Sequence, residues 1–204
     1  MRPLLTEDEL GRIEAAVRDA ERGTTAEIVI VITGDTAGLS WLLWPASVAL
    51  AVPLVAFLAW PGIAAGHLYT LQLAVLALGL FLGVVPALRR LLTPVATRRA
   101  SARRWARDQF FERGLHLTAA RTGILLLVSP ADRCAEIVTD AGAQGPLPDD
   151  TWRPCLETLL SEARQGRLAA GIESALGTLG PILRERLAQG PDDGNELPDR
   201  PVQL

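Results

Sequence analysis

From Thr36 through Leu88, 53 consecutive residues contain no Asp, Glu, Lys or Arg. A block of that length constrains the rest of the chain. Two apolar runs lie inside it, Leu39 to Trp60 and Leu68 to Leu88. Each holds roughly 20 residues, which at ~1.5 Å per residue spans a ~30 Å hydrocarbon core. A helix on the surface of a water-soluble core needs a polar side, and neither run has one. The connection "PGIAAGH" is long enough only for a tight hairpin. Trp41, Trp44, Trp60 and Tyr69 fall near the ends, where amphipathic rings favour a membrane interface. The sequence therefore predicts a two-helix transmembrane hairpin within residues 36–90, with helices at about 39–60 and 68–88.

Arginine sets the orientation. Arg89, Arg90, Arg98, Arg99, Arg103, Arg104 and Arg107 crowd the exit of the second run, Arg18 and Arg22 precede the first, and the loop between has none. The positive-inside rule then puts both termini in the cytoplasm, beneath a cell (inner) membrane. "MRPLLTEDELG" has no apolar core, so no cleavable signal peptide is expected. Transport needs ionisable groups within the bilayer, and the block offers only His67 and Tyr69. That leaves anchoring in the lipid bilayer, with Gly79-x-x-x-Gly83 as a candidate homodimer contact, since small residues let helices approach closely.

The flanks read as one soluble domain in two pieces, residues 1–35 and 91–188, followed by a polar tail, 189–204. Thr6-x-x-Glu9 has capping-box spacing, and Leu10, Ile13, Val17 and Ala20 follow at helical intervals, predicting a helix from Glu7 to Arg22 closed by Gly23. Glu27 to Thr33 reads as a strand buried on both faces. Beyond the hairpin, a helix is expected over Thr97–Gly114. Strands follow at Ile124–Val128 and Cys134–Thr139, joined by a turn at Pro130–Arg133. Asp149 or Asp150 can cap a further helix with Pro154 in its permissive first turn, and helical spacing continues past a break near Gly166 to about Leu187. The tail is Pro-rich and expected to be loosely ordered. One strand cannot stand alone, so the pieces must join into a three-layer α/β sandwich with a mixed β-sheet, interrupted by the hairpin.

Chemistry is sparse. Outside the block the 20 basic and 23 acidic residues are mixed, and a net charge of −3 argues against a nucleic-acid partner. Cys134 and Cys155 have no metal or redox spacing. No GxSxG, P-loop, HExxH or GxGxxG is present, and neither His67 nor His116 has a triad setting. Carboxylates remain. With parallel first and second strands, Asp35 and the Asp132–Arg133 turn share the carboxyl edge of the sheet, and Asp140, Asp149 and Asp150 gather at the other edge with Arg121. Asp35, Asp132 and Asp140 are the candidate ligands for Mg²⁺ or Ca²⁺, which prefer oxygen donors. "DDGNE", Asp192 to Glu196, lacks the spacing of a calcium loop. Arg98, Arg99, Arg103 and Arg104 are candidates for lipid-headgroup contact or are simply a solvated helix face.

The stretches Ala96–Gly142, "LPDDTW" and "EARQGRLAAGIESALGTLGPIL" resemble the TPM-domain family, whose name includes a thylakoid acid phosphatase. The shared features are the helix ending in a Gly turn, the Thr-Gly opening of an aliphatic strand, the Asp-Arg hairpin and the late Gln-Gly-Arg-x-x-x-Gly helix. With "NELPDR" at Asn195–Arg200, the chain is similar to a bacterial branch with two internal transmembrane helices. The resemblance implies an α/β sandwich, and, for some members, divalent-cation binding and phosphatase activity. For others it implies roles beside membrane proteins, LemA-like ones among them. Where many members carry a Gly-Tyr-Gly-x-Glu-like segment, this chain has Asp140-Ala-Gly-Ala-Gln-Gly145, without the carboxylate. Two readings stand: a membrane-anchored interaction or regulatory module on the cytoplasmic face, or a metal-dependent acid phosphatase.

Overall fold

A computed structural model describes residues 4–34, 43–60, 62, 64–84, 95–188 and 197–204. It divides into two compact units, one made of Met1–Thr36 with Ala102–Leu204 and one of Ala37–Ser101.

The first unit is built on a four-stranded mixed sheet of order β3-β2-β1-β4. Its strands are β1 (Glu27–Ile32), β2 (Gly123–Ser129), β3 (Cys134–Thr139) and β4 (Val202–Gln203). β1 runs parallel to both β2 and β4, and β2 and β3 form an antiparallel hairpin. All six residues of β1 and all seven of β2 are buried, because both faces of the central strands are covered. On one face Ile28, Ile30, Ile32, Ile124, Leu126 and Val128 meet three helices: α1 (Glu7–Glu21), α6 (Asp149–Arg164) and α7 (Leu168–Arg186). On the other face Val29, Val31, Leu125 and Leu127 meet Ala102, Ala106 and Phe110 of α4 (Val95–Glu112). Each large aliphatic side chain buried this way contributes roughly 1.5–3 kcal/mol. The result is the three-layer arrangement the periodicities predict.

Local signals fix the ends of the elements. Glu9 N–H donates to Thr6 Oγ1 at 3.3 Å and Thr6 N–H to Glu9 Oε2 at 2.8 Å, the reciprocal capping box at the start of α1. Gly166, at φ +79°, turns the chain between α6 and α7, a left-handed conformation that glycine takes at no steric cost. A short helix, α5 (Ala141–Gln144), follows β3.

Two expectations fail. Pro154 lies beyond the first turn of α6, which begins at Asp149 and takes Pro148 as its cap residue; no side chain caps it. The helix thus accepts a missing N–H where the carbonyl of Asp150 would have had a partner. The end of the chain is also more structured than its composition suggests. Residues 197–204 form a strap whose two-residue strand β4 extends the sheet beside β1, and Leu197 packs against the α4-side core.

The second unit contains α2 (Leu43–Ala59) and α3 (Ala65–Val84), packed on each other. Among the described residues one helix, over Ala65–Leu82, is long and apolar enough to cross a membrane; Ala46–Ala59 is apolar but shorter.

Candidate functional site

At the carboxyl end of β2 the chain reverses through Pro130–Arg133. Ser129 Oγ donates to Asp132 Oδ2 at 3.0 Å, and the Asp132 N–H returns to Ser129 Oγ at 3.4 Å. Arg133 adopts φ +52° and donates its N–H to the Pro130 carbonyl. Asp132 is buried and serves this turn.

At the opposite end of the sheet Asp140 caps α5, accepting from Ala141 N–H at 2.7 Å. Arg121 grips it in bidentate fashion, Nε to Oδ2 at 2.5 Å and Nη2 to Oδ1 at 2.9 Å. The Arg121 backbone is held at φ +56°, an uncommon value for a side chain of its size, by bonds from its N–H to Thr118 O and from Gly142 N–H to its own carbonyl. Hydrogen bonding from Arg121 holds the Asp140 carboxyl below its ordinary value, and the bond from Ala141 N–H and the Arg121 charge add to this. The His116 ring lies 5.2 Å from that of Phe111, and its buried Nδ1 finds no hydrogen-bond partner among the described residues. Asp150 is well exposed and paired with Arg153, and Asp149 is the first residue of α6.

Asp132 and Asp140 therefore stand at opposite ends of the six-residue strand β3, a separation of roughly 20 Å at ~3.4 Å per residue. One ion cannot bind both. Asp35, the third candidate, lies outside the described residues, as do Asp192–Glu196. Among the described residues no three His, Cys, Asp or Glu side chains gather in a way that could hold a metal ion. The two cysteines form no disulfide.

The arginine row of α4 divides by environment. Arg103 reaches Glu136 on β3 at 3.5 Å, whereas Arg99 and Arg104 are exposed.

The sequence gives no hint of two features. A groove of about 360 Å³ opens between the end of α4 and the strap, floored by Val29 and lined by Glu112, Arg113, Leu197, Arg200 and Val202. Glu21, Glu27 and Asp199 also converge from α1, β1 and the strap. Both depend on where the strap returns, and a two-residue strand leaves no periodicity to read.

With this geometry in place, the fold can be compared with known proteins. The TPM domain family model matches residues 89–181, which run through α4, the β2–β3 hairpin, α5, α6 and most of α7. The solved structure of BA42 from the psychrophilic bacterium Bizionia argentinensis superposes with a TM-score of 0.63 at 18% identity, covering 100% of this chain and 98% of that one. No curated protein matches the chain. Among the described residues the α/β fold, with its mixed four-stranded sheet and seven α-helices, is shared with BA42.

Proposed function

We propose that the chain is a membrane-anchored TPM-like module, held on the cytoplasmic face by α2 and α3 and acting through contacts with other membrane proteins. The observation that carries this reading is the surface of the helical pair. Leu50, Val55, Leu58, Trp60, Leu73 and Phe81 are each more than 60% exposed, although α2 and α3 pack together. A patch of that size is costly in water and favourable in lipid. The same pair carries no charge, which suits an anchor better than a conduit. Arginines outside the pair support a cytoplasmic domain, and the exposed Arg99 and Arg104 are suited to anionic headgroups. LemA-like proteins and a second copy joined through Gly79 and Gly83 are the candidate partners. The distance between Asp132 and Asp140 weighs against the metal-dependent phosphatase.

Three measurements test this. Topology reporters fused at Met1 and at Leu204 are expected to report the same, cytoplasmic side; opposite sides would end the reading. Cross-linking in native membranes is expected to capture a defined membrane protein. Turnover of a chromogenic phosphate ester that needs Mg²⁺ and is lost on Asp132→Ala would favour the phosphatase instead.

A further inference from the structure

One side of α4 packs on the sheet, through Ala102, Ala106 and Phe110. The other side is open. Ala100, Arg104, Arg107 and Phe111 recur at the spacing of a single helical face, and all four are exposed. At about 100° per residue Arg103 flanks this stripe on one side, and Asp108 and Glu112 lie on the other. Glu112 accepts from Gln109 Nε2 at 2.5 Å. Arg103 reaches Glu136 only at 3.5 Å, with its side chain 66% exposed. Among the described residues neither Arg104 nor Arg107 has an acidic partner.

The stripe ends in an apolar tip. Past Glu112 the chain turns at Gly114, φ +71°, into the single turn Leu115–Leu117, whose Leu117 N–H donates to Gly114 O at 2.8 Å. The Phe111 ring meets His116 of that turn at 5.2 Å, and a Cβ on Gly114 would lie 3.6 Å from Leu117 Cδ1. Phe111 is nonetheless 61% exposed and Leu117 74%, more than any other large apolar side chain described in the sheet-bearing unit. The charge leading to this tip has one sign. No acidic residue occurs from Thr36 through Arg107, whereas Arg89, Arg90, Arg98, Arg99, Arg103, Arg104 and Arg107 fall at the end of that span. A uniformly anionic surface complements such a face, and an aromatic ring and a leucine beside arginines favour the boundary between headgroups and acyl chains. A protein partner would more commonly call for both signs of charge.

We propose that the open face of α4 is a second membrane attachment: it lies along the anionic leaflet, with Arg104 and Arg107 among the headgroups and Phe111 and Leu117 inserted at the interface. This rests on the reading of α2 and α3 as an anchor and adds to it. An anchor alone tethers the domain; a docked α4 fixes which side of the sheet faces the bilayer, leaving the three helices of the opposite layer turned to the cytoplasm. The arginines act at short range, since screening reaches ~10 Å at 0.1 M salt. Docking therefore needs anionic lipid and weakens as salt rises, whereas the anchor depends on neither.

Spin labels on the full-length chain test this, in nanodiscs of phosphatidylcholine with and without phosphatidylglycerol. The half-buried Cys134 is replaced by Ser, and single labels are placed at Phe111→Cys, Leu117→Cys, Leu73→Cys on α3 and Glu157→Cys on the exposed side of α6. Relaxation by oxygen, which concentrates in lipid, is compared with relaxation by a nickel chelate, which stays in water. In anionic discs the oxygen-to-nickel ratio at positions 111 and 117 is expected to exceed that at 157 by at least about fivefold. It should fall towards the value at 157 without phosphatidylglycerol, in high salt, or in the Arg104→Gln, Arg107→Gln double variant, while Leu73 stays in lipid throughout. Ratios at 111 and 117 equal to that at 157, with Leu73 in lipid, overturn the docking and leave the anchor standing. Lipid contact at 111 and 117 that ignores phosphatidylglycerol, salt and the double variant also overturns it, because the arginines would then play no part. Nickel access at Leu73 instead defeats the anchor reading, and the docking falls with it.

Discussion

Thr6 and Glu9 satisfy each other's backbone N–H groups at the start of α1, and neither has a substitute there. Thr6→Ala should cost about 1 kcal/mol, read as a lower midpoint in chemical denaturation with an unchanged slope. Asp140 is a different case, because its effect depends on pH. Arg121 lowers its folded-state value, so its stabilisation is present above the ordinary carboxyl range and fades as pH falls through the lowered value. Asp140→Asn should lower the melting temperature at neutral pH and lose part of the wild type's decline below about pH 4. Thermal melts across that acid range decide it. Equal acid sensitivity in both proteins would remove Asp140 from the account.

Among the elements, α6 and α7 approach closely enough for a single atom to test. A Cβ on Gly171 would lie 2.9 Å from Glu162 Cβ and 2.9 Å from Leu159 O, so α7 rests almost on the backbone of α6. Gly171→Ala should force the two helices apart at a cost of about 1–3 kcal/mol, measured by denaturation. Most elements were legible because their causes are local. Leu10, Ile13 and Val17 mark one face of α1, the aliphatic run of β1 marks a doubly covered strand, and Pro130–Arg133 marks the reversal into β3. The meeting of Arg121 and Asp140 also followed from strand direction alone, once β1 and β2 were taken as parallel. What escaped depends on distant partners. Nothing within Val202–Gln203 marks it as a strand; β1 supplies that. Glu21 reads as an ordinary surface acid of α1 until Asp199 is brought beside it.

For the whole molecule, the question is whether the domain depends on its helical pair. Among the described residues, the unit formed by Met1–Thr36 and Ala102–Leu204 contains the four strands and both apolar cores. Replacing Thr36–Leu88 with a short flexible linker should therefore give a soluble, folded domain that melts cooperatively, since loop closure varies only slowly with length. Calorimetry and exchange protection of the β1 and β2 amides check this. An aggregated or non-cooperative product would mean that the sheet leans on the helical pair.

The pairing of Ile28 with Ile124 carries a further consequence for how such a chain is made. A ribosome delivers β1 early and its neighbour only after α2, α3 and α4 have emerged. Until then an aliphatic strand with two open edges has no β2 to pair with. The sheet thus closes late, and any delay between the two strands prolongs the time β1 spends available to the wrong neighbour.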